Sequence, residues 1–223
     1  MLNLLDTIIA SKIFNKMKFT KLVLSVFLMI VVNLTYSQDF DAKIMFGGTF
    51  SQVDGDAFGG YNKMGISTGI AIQRKLKNNW TAGFELLYTQ KGSRKRVDPE
   101  DLNPEIFILK FNYLEMPLLA TYEVGHFNFF GGPSIGYLIG GKRDTGLGFK
   151  ELDKDEVYKT EIGLKMGVAY SFNENLAFQL AHSSSMLRIG NPYLGGVYVF
   201  SRNGLYNRLF TVSLAYSINK KTN

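Results

Sequence analysis

The chain has 223 residues, enough for one domain of moderate size. It has no cysteine, which excludes a disulfide framework, a cysteine-based metal site and lipid attachment through a thiol. Aromatic residues at 14%, 23 glycines and a formal charge of +6 describe an all-β protein with an unusual surface rather than a nucleic-acid binder, because much of that charge sits in a segment that export would remove.

The first element is an export signal. Lys18 and Lys21 form a basic start, Leu22 to Val32 an apolar stretch, and Thr35-Tyr36-Ser37 a short polar end. Small residues at Thr35 and Ser37 predict cleavage before Gln38, and the apolar run suits a signal peptide better than an uncleaved anchor. Met1–Lys16 does not belong to such a signal, so Met17 reads as the start of translation. Residues 1–37 are thus expected to be an extension plus a cleaved signal peptide, and 38–223 the folded domain. Removing four lysines and Asp6 leaves 21 basic against 18 acidic residues, a charge of +3.

From Lys43 onwards apolar side chains alternate with polar or small ones, the period of a β-strand. The predicted strands are 43–52, 64–75, 80–92, 107–122, 127–140, 157–171, 176–186 and 207–218. Many reach ten residues, whereas soluble strands average about five or six and a membrane-crossing strand needs about 9–11. The second strand sets Met64, Ile66, Ile70 and Ile72 against Gly65, Ser67, Gly69 and Ala71. The third sets Trp80, Phe84, Leu86 and Tyr88 against Thr81, Gly83, Glu85 and Thr89. Gly, Ala, Ser and Thr suit the crowded inside of a narrow barrel, where eight strands leave room only for side chains. The bulky set then faces lipid, and Trp80, Tyr88, Tyr122, Tyr137, Tyr158, Tyr170 and Tyr216 lie near strand ends, as interfacial aromatic girdles do.

Connections alternate strictly. Those near 77–79, 123–126 and 173–175 are short; 53–63, 93–106, 141–156 and 187–206 are long. Short periplasmic turns and long outer loops mark an outer-membrane barrel, and an even strand count puts both ends of the mature chain in the periplasm. The expected fold is therefore all-β: an eight-stranded antiparallel up-and-down transmembrane β-barrel. A soluble lipocalin-like barrel would need the bulky face inside. Segment 107–122 fits least well, since Leu109 and Phe111 share one face and Leu114, Met116 and Leu118 the other. That phase change predicts a bulge near Asn112-Tyr113 or a loop-to-strand switch there. Pro117, which cannot donate to a ladder, has no firm explanation in the pattern.

The same residues carry a resemblance. The run Asn112-Tyr113-Leu114-Glu115-Met116-Pro117-Leu118-Leu119-Ala120-Thr121-Tyr122 resembles a "YLEIPLLLKY" strand of the PorT-like outer-membrane β-barrel family of Bacteroidetes, and Gly132-Pro133-Ser134-Ile135-Gly136-Tyr137-Leu138-Ile139 is similar to the strand that follows it there. Leu180–Asn191 resembles a late strand of that family more loosely. The resemblance spans the mature chain. It implies an outer-membrane address and a link of at least one member to secretion and gliding. It carries over no catalytic residue, and places Tyr113, Glu115 and Pro117 of the motif Tyr113, Leu114, Glu115, Pro117 in the lumen.

Chemistry is sparse. Glu85, Lys110, Glu115, Lys159, Glu161 and Lys165 have inward parity and are expected to pair inside a filled barrel, the alternative being the lining of a small solute pore. His182 and Ser184 share the outward face, an arrangement like that of lipid A deacylase barrels, but residues 183–223 hold no Asp or Glu to orient the imidazole. Arg94-Lys95-Arg96 could meet lipopolysaccharide phosphates, although Asp98, Glu100 and Asp101 follow closely and favour a solvated loop. Asp153, Asp155 and Glu156 are too few for a calcium loop, Gly146-Leu147-Gly148 precedes no helix, and two histidines make no metal centre. No cofactor is expected and no enzymatic role. The partners implied are outer-membrane lipids, lipopolysaccharide and an envelope or secretion protein, with no nucleic acid.

Overall fold

A computed structural model of the chain describes residues 40–56, 58–95, 106–153, 156–191 and 204–218. The expected signal peptide and extension, Arg96, Asp98, Glu100, Asp101 and Asp155 lie outside these residues. Nine strands are described: β1 (Phe40–Asp54), β2 (Lys63–Lys75), β3 (Trp80–Arg94), β4 (Ile108–Val124), β5 (Phe127–Asp144), β6 (Phe149–Glu151), β7 (Thr160–Ser171), β8 (Leu176–Ser185) and β9 (Tyr206–Ser217). All but β6 form an antiparallel meander, and β1 pairs with β9, closing an eight-stranded barrel. The three-residue β6 adds to the upper end of β5 alone and was not legible in the alternation.

The tight turns have local causes. In the β2–β3 turn Asn78 and Asn79 both take positive φ, 56° and 61°, which asparagine tolerates and a two-residue hairpin of this hand requires. The β4–β5 turn uses Gly125 at φ 59°. Asn173 caps the β7–β8 turn, its Oδ1 accepting from Asn175 N–H at 2.9 Å and Leu176 N–H at 2.8 Å.

Burial is inverted relative to a soluble barrel. Phe46 is 64% and Met64 66% exposed, while Lys91 is 1% and Glu85 4% exposed. The outward apolar run from Leu114 to Val124 covers ten residue rises, which at ordinary strand rise and tilt gives a belt about 25 Å tall, the thickness outer-membrane barrels present to lipid. Trp80 and Tyr122 stack at its lower edge with centroids 5.0 Å apart.

The apparent phase change in β4 proves to be a change of environment rather than of backbone. Odd-numbered residues point inward along the whole described strand: Leu109, Phe111, Tyr113, Glu115 and Pro117 are all buried. Above the belt the strand buries its large apolar residues inside, as a soluble barrel does; within the belt it turns them out to lipid. The register does shift between Asn112 and Tyr113, where Asn112 pairs with Gly140 but Tyr113 with Leu138. The extra residue, Ile139, belongs to β5, so the bulge lies on the partner strand. Pro117 is accommodated by a lapse in pairing: β3–β4 register runs to Phe84↔Leu118 and resumes at Leu87↔Glu115, so no donor is demanded of the proline.

Glycines let the walls approach. A Cβ on Gly92, whose φ is +140°, would lie 2.0 Å from the Leu109 carbonyl oxygen, so only glycine fits where β3 bends at the rim.

Candidate functional site

The lumen is filled in layers. Uppermost, Val53, Leu109, Phe111, Tyr113, Val157, Ile189 and Leu205 form one apolar cluster, backed by Phe107, Leu138 and Leu152. Residues from the long connections belong to this plug because their backbone is tied inward: Val157 bridges Gly190, Gly190 bridges Leu205, and Ile189 N–H donates to Leu205 at 2.8 Å. Burying side chains of this size contributes roughly 1.5–3 kcal/mol each. Lower down, Met45, Ala71, Leu87 and Ala215 pack together, as do Phe130, Ala169 and Ala181 with Leu119 against them.

Between the apolar layers lies a buried ionic network. Lys91 Nζ is 2.5 Å from Glu115 Oε1 and 2.9 Å from Glu161 Oε1, and stands 5.0 Å from the Tyr113 ring centroid. Glu161 also accepts from Ser185 Oγ and from Asn207 Nδ2, each at 2.8 Å; Ser185 Oγ in turn accepts from the Asn207 backbone N–H at 3.0 Å. Lys165 pairs with Glu85. The network joins β3 and β4 to the opposite wall of β7, β8 and β9. It holds three carboxylates against two ammonium groups, and the surplus charge is met by neutral donors converging on Glu161. Desolvating such ions costs several kcal/mol apiece, so the network is stable only while complete.

The sequence-derived lumen residues thus separate. Glu85, Glu115, Glu161 and Lys165 are in the network and Tyr113 borders it, whereas Leu114 faces outward. Lys159 is a correction: it is exposed, because β7 begins only at Thr160 and the chain is still crossing the rim at 159. Lys110 is a second correction, since its even position in β4 points it outward. Lys91, Ser185 and Asn207 were missed. Lys91 continues the inward parity of Thr81, Glu85 and Thr89, a signal obscured by the basic run that begins there.

His182 and Ser184 lie on the outer face of β8. The imidazole stacks on Phe210 at 4.7 Å, and among the described residues no hydrogen bond joins it to Ser184. The carboxylate at this rim, Asp54, is held by Arg208 Nε at 2.6 Å. A hydroxyl without an imidazole on it, and an imidazole without an acid, do not make an activated nucleophile. Replacing His182 with alanine is expected to leave the lipid A species of the cell unchanged by mass spectrometry; a shift towards more acylated species would reinstate the hydrolase. The basic run is likewise divided: Arg94 points out, while Lys95 folds over the Phe58 ring at 5.7 Å.

A closed antiparallel barrel with charges locked inside and an apolar belt outside defines a membrane-spanning β-barrel, in which every backbone group within the belt must be paired. The sequence agrees with that class. The chain belongs to the outer membrane protein beta-barrel domain family, whose pattern matches residues 36–185, and the outer membrane is its location. No curated protein matches it by sequence. Among solved structures it is similar to Ail, the attachment invasion locus protein of Yersinia pestis, at 14% identity and a TM-score of 0.48, covering 80% of this chain and 98% of that one. Neisserial surface protein A gives 11% identity and 0.48, covering 80% and 97%, and OprG of Pseudomonas aeruginosa 12% and 0.43, covering 82% and 98%.

Proposed function

We propose that this chain is a non-enzymatic, non-conducting barrel of the PorT-like kind found in Bacteroidetes, exported through a cleaved signal peptide. Both mature termini lie in the periplasm and the long loops face outward. Its work is then done by its rim and loops, as a docking point for another envelope or secretion protein or as a structural element of the envelope. The observation that supports this most is the filled lumen: among the described residues the Lys91 network and the apolar plug above it occupy the inside of the barrel, and no acid meets His182.

Two measurements test the reading. The folded protein should remain in the sarkosyl-insoluble membrane fraction and change mobility on an SDS gel when boiled. In planar bilayers it should show no discrete conductance steps. A soluble periplasmic protein without a heat shift would overturn the barrel in lipid, and reproducible steps would overturn the closed lumen.

A further inference from the structure

Above the apolar belt the outer surface is uneven in charge. On the side of β1, β8 and β9 it carries Gln52, Asp54, Ser184 and Arg208, and the charges are paired: Arg208 Nε meets Asp54 Oδ2 at 2.6 Å, and Gln52 Nε2 donates to Asp54 Oδ1 at 2.8 Å. On the side of β2 to β5 the pattern is different. Lys110 stands directly opposite Lys142 in the β4–β5 ladder. Its partner on β3 is Gly92, which has no side chain, so the diagonal neighbour Arg94 comes next. Lys63, at the top of β2, has inward parity and donates from Nζ to the Met64 carbonyl at 2.6 Å, so it stands apart from this outer cluster.

Like charges placed directly opposite destabilise a sheet pair, and little here relieves them. Lys142 meets Glu151 at 2.9 Å in an exposed pair, the kind that contributes at most about 1 kcal/mol. The nearby Asp144 turns back into its own loop, its Oδ1 accepting from Gly146 N–H at 2.9 Å and Gly148 N–H at 3.0 Å. Among the described residues, Arg94 and Lys110 have no ion-pair partner. Among the described residues the cluster is therefore a concentration of positive charge that is only partly neutralised.

Its height on the barrel indicates what neutralises it. Directly below lies an uncharged polar step, in which Tyr88 Oη donates to Asn112 Oδ1 at 3.1 Å and Gln90 Nε2 donates to Tyr88 Oη at 3.0 Å. Below that the apolar belt begins at once with Leu114, Tyr137 and Ile139, all substantially exposed. Lys110 is two outward positions above Leu114, roughly 10 Å along the membrane normal, which is the depth of lipid headgroups. Acyl chains on the belt and an anion on the cluster would thus be parts of one molecule. A guanidinium beside two ammonium groups suits phosphate, which Arg binds through two parallel hydrogen bonds.

We propose that Arg94, Lys110 and Lys142 bind the phosphate of a phosphorylated glycolipid of the outer leaflet, with its acyl chains along Leu114, Tyr137 and Ile139. This rests on the outward orientation of the long loops proposed above. Orientation is read separately, by labelling an epitope inserted at 145–148 in intact cells, whereas lipid binding is read in vitro, where orientation plays no part.

The test uses the full folded chain in phosphatidylcholine nanodiscs, with retained lipid counted by native mass spectrometry. Bis-phosphorylated lipid A should be retained and its dephosphorylated form should not. The variant R94Q/K110Q should retain it about thirtyfold less, given roughly 1 kcal/mol per basic residue at a membrane surface. R208Q, on the paired side, should behave as the parent. Inorganic phosphate in large excess should not displace the lipid. Equal retention by parent and R94Q/K110Q, equal retention of the dephosphorylated lipid, or displacement by inorganic phosphate would each overturn the proposal. Heat-shifted mobility establishes that the variants fold, and K110Q alone, expected to weaken retention in the same sense, serves if the double variant does not.

Discussion

Replacing Lys91 with methionine is expected to destabilise the folded barrel by about 3–5 kcal/mol, the cost of leaving buried charges without their partner. Lys91 is 1% exposed and is the one ammonium that touches both Glu115 and Glu161. Without it the two carboxylates face a shared space from which water is excluded, and the donors Ser185 and Asn207 can serve only Glu161. The loss would register as a lower urea midpoint, followed by the disappearance of the unboiled band or by the fluorescence of Trp80, the single tryptophan. Removing the charges together distinguishes ionic loss from lost packing: adding Glu115→Gln and Glu161→Gln to the Lys91→Met variant should recover most of the stability. The exposed Lys142–Glu151 pair is the internal control, and Lys142→Met should cost less than about 1 kcal/mol. A Lys91→Met loss of that same small size would mean that water reaches the network and that the lumen is not closed.

That network was only half legible in the sequence, for a physical reason. Alternation with period two reports which face a residue occupies, so Glu85, Glu115, Glu161 and Lys165 could be placed inside from strand parity alone. What parity lacks is height. Lys91 lay near the end of predicted strand 80–92 and was not singled out; its partners are 24 and 70 residues away, and only barrel closure brings them together. Lys159 failed in the opposite direction, having inward parity but lying just beyond the end of the wall. The phase change in β4 was seen correctly as a change of apolar face. It was attributed to the backbone because one strand passing from a water-facing to a lipid-facing environment inverts its pattern without moving. The bulge that does exist at this level sits in β5, across from the residues that signalled it. The long connections were read as loops and nothing more, although Ile189 and Leu205 within 187–206 are core residues; too few consecutive positions alternate there for a pattern to show.

The inversion of environments also yields the sharpest test of the lipid-facing surface. Leu214 lies mid-belt on β9, half exposed, flanked on its own face by Val212 and Tyr216 and paired with Phe46 and Phe178 on the neighbouring strands. Leu214→Arg is expected to destabilise the barrel by about 2–4 kcal/mol in a bilayer, the cost of a guanidinium at the midplane of a lipid face. The reverse change at Arg208, R208L, moves a residue at the belt's upper edge in the apolar direction and should cost only what the exposed Asp54 pair contributes, at most about 1 kcal/mol. Depth is the variable that matters here: an Arg scan along Phe210, Val212, Leu214, Tyr216 and Ile218 should give a penalty that peaks at the centre and falls towards both ends. A barrel facing water predicts a small and flat profile instead, because replacing an exposed leucine with arginine on a soluble surface changes stability by no more than about 0.5 kcal/mol. A flat profile across the five positions would therefore place these side chains in water, and the roles of inside and outside would have to be exchanged.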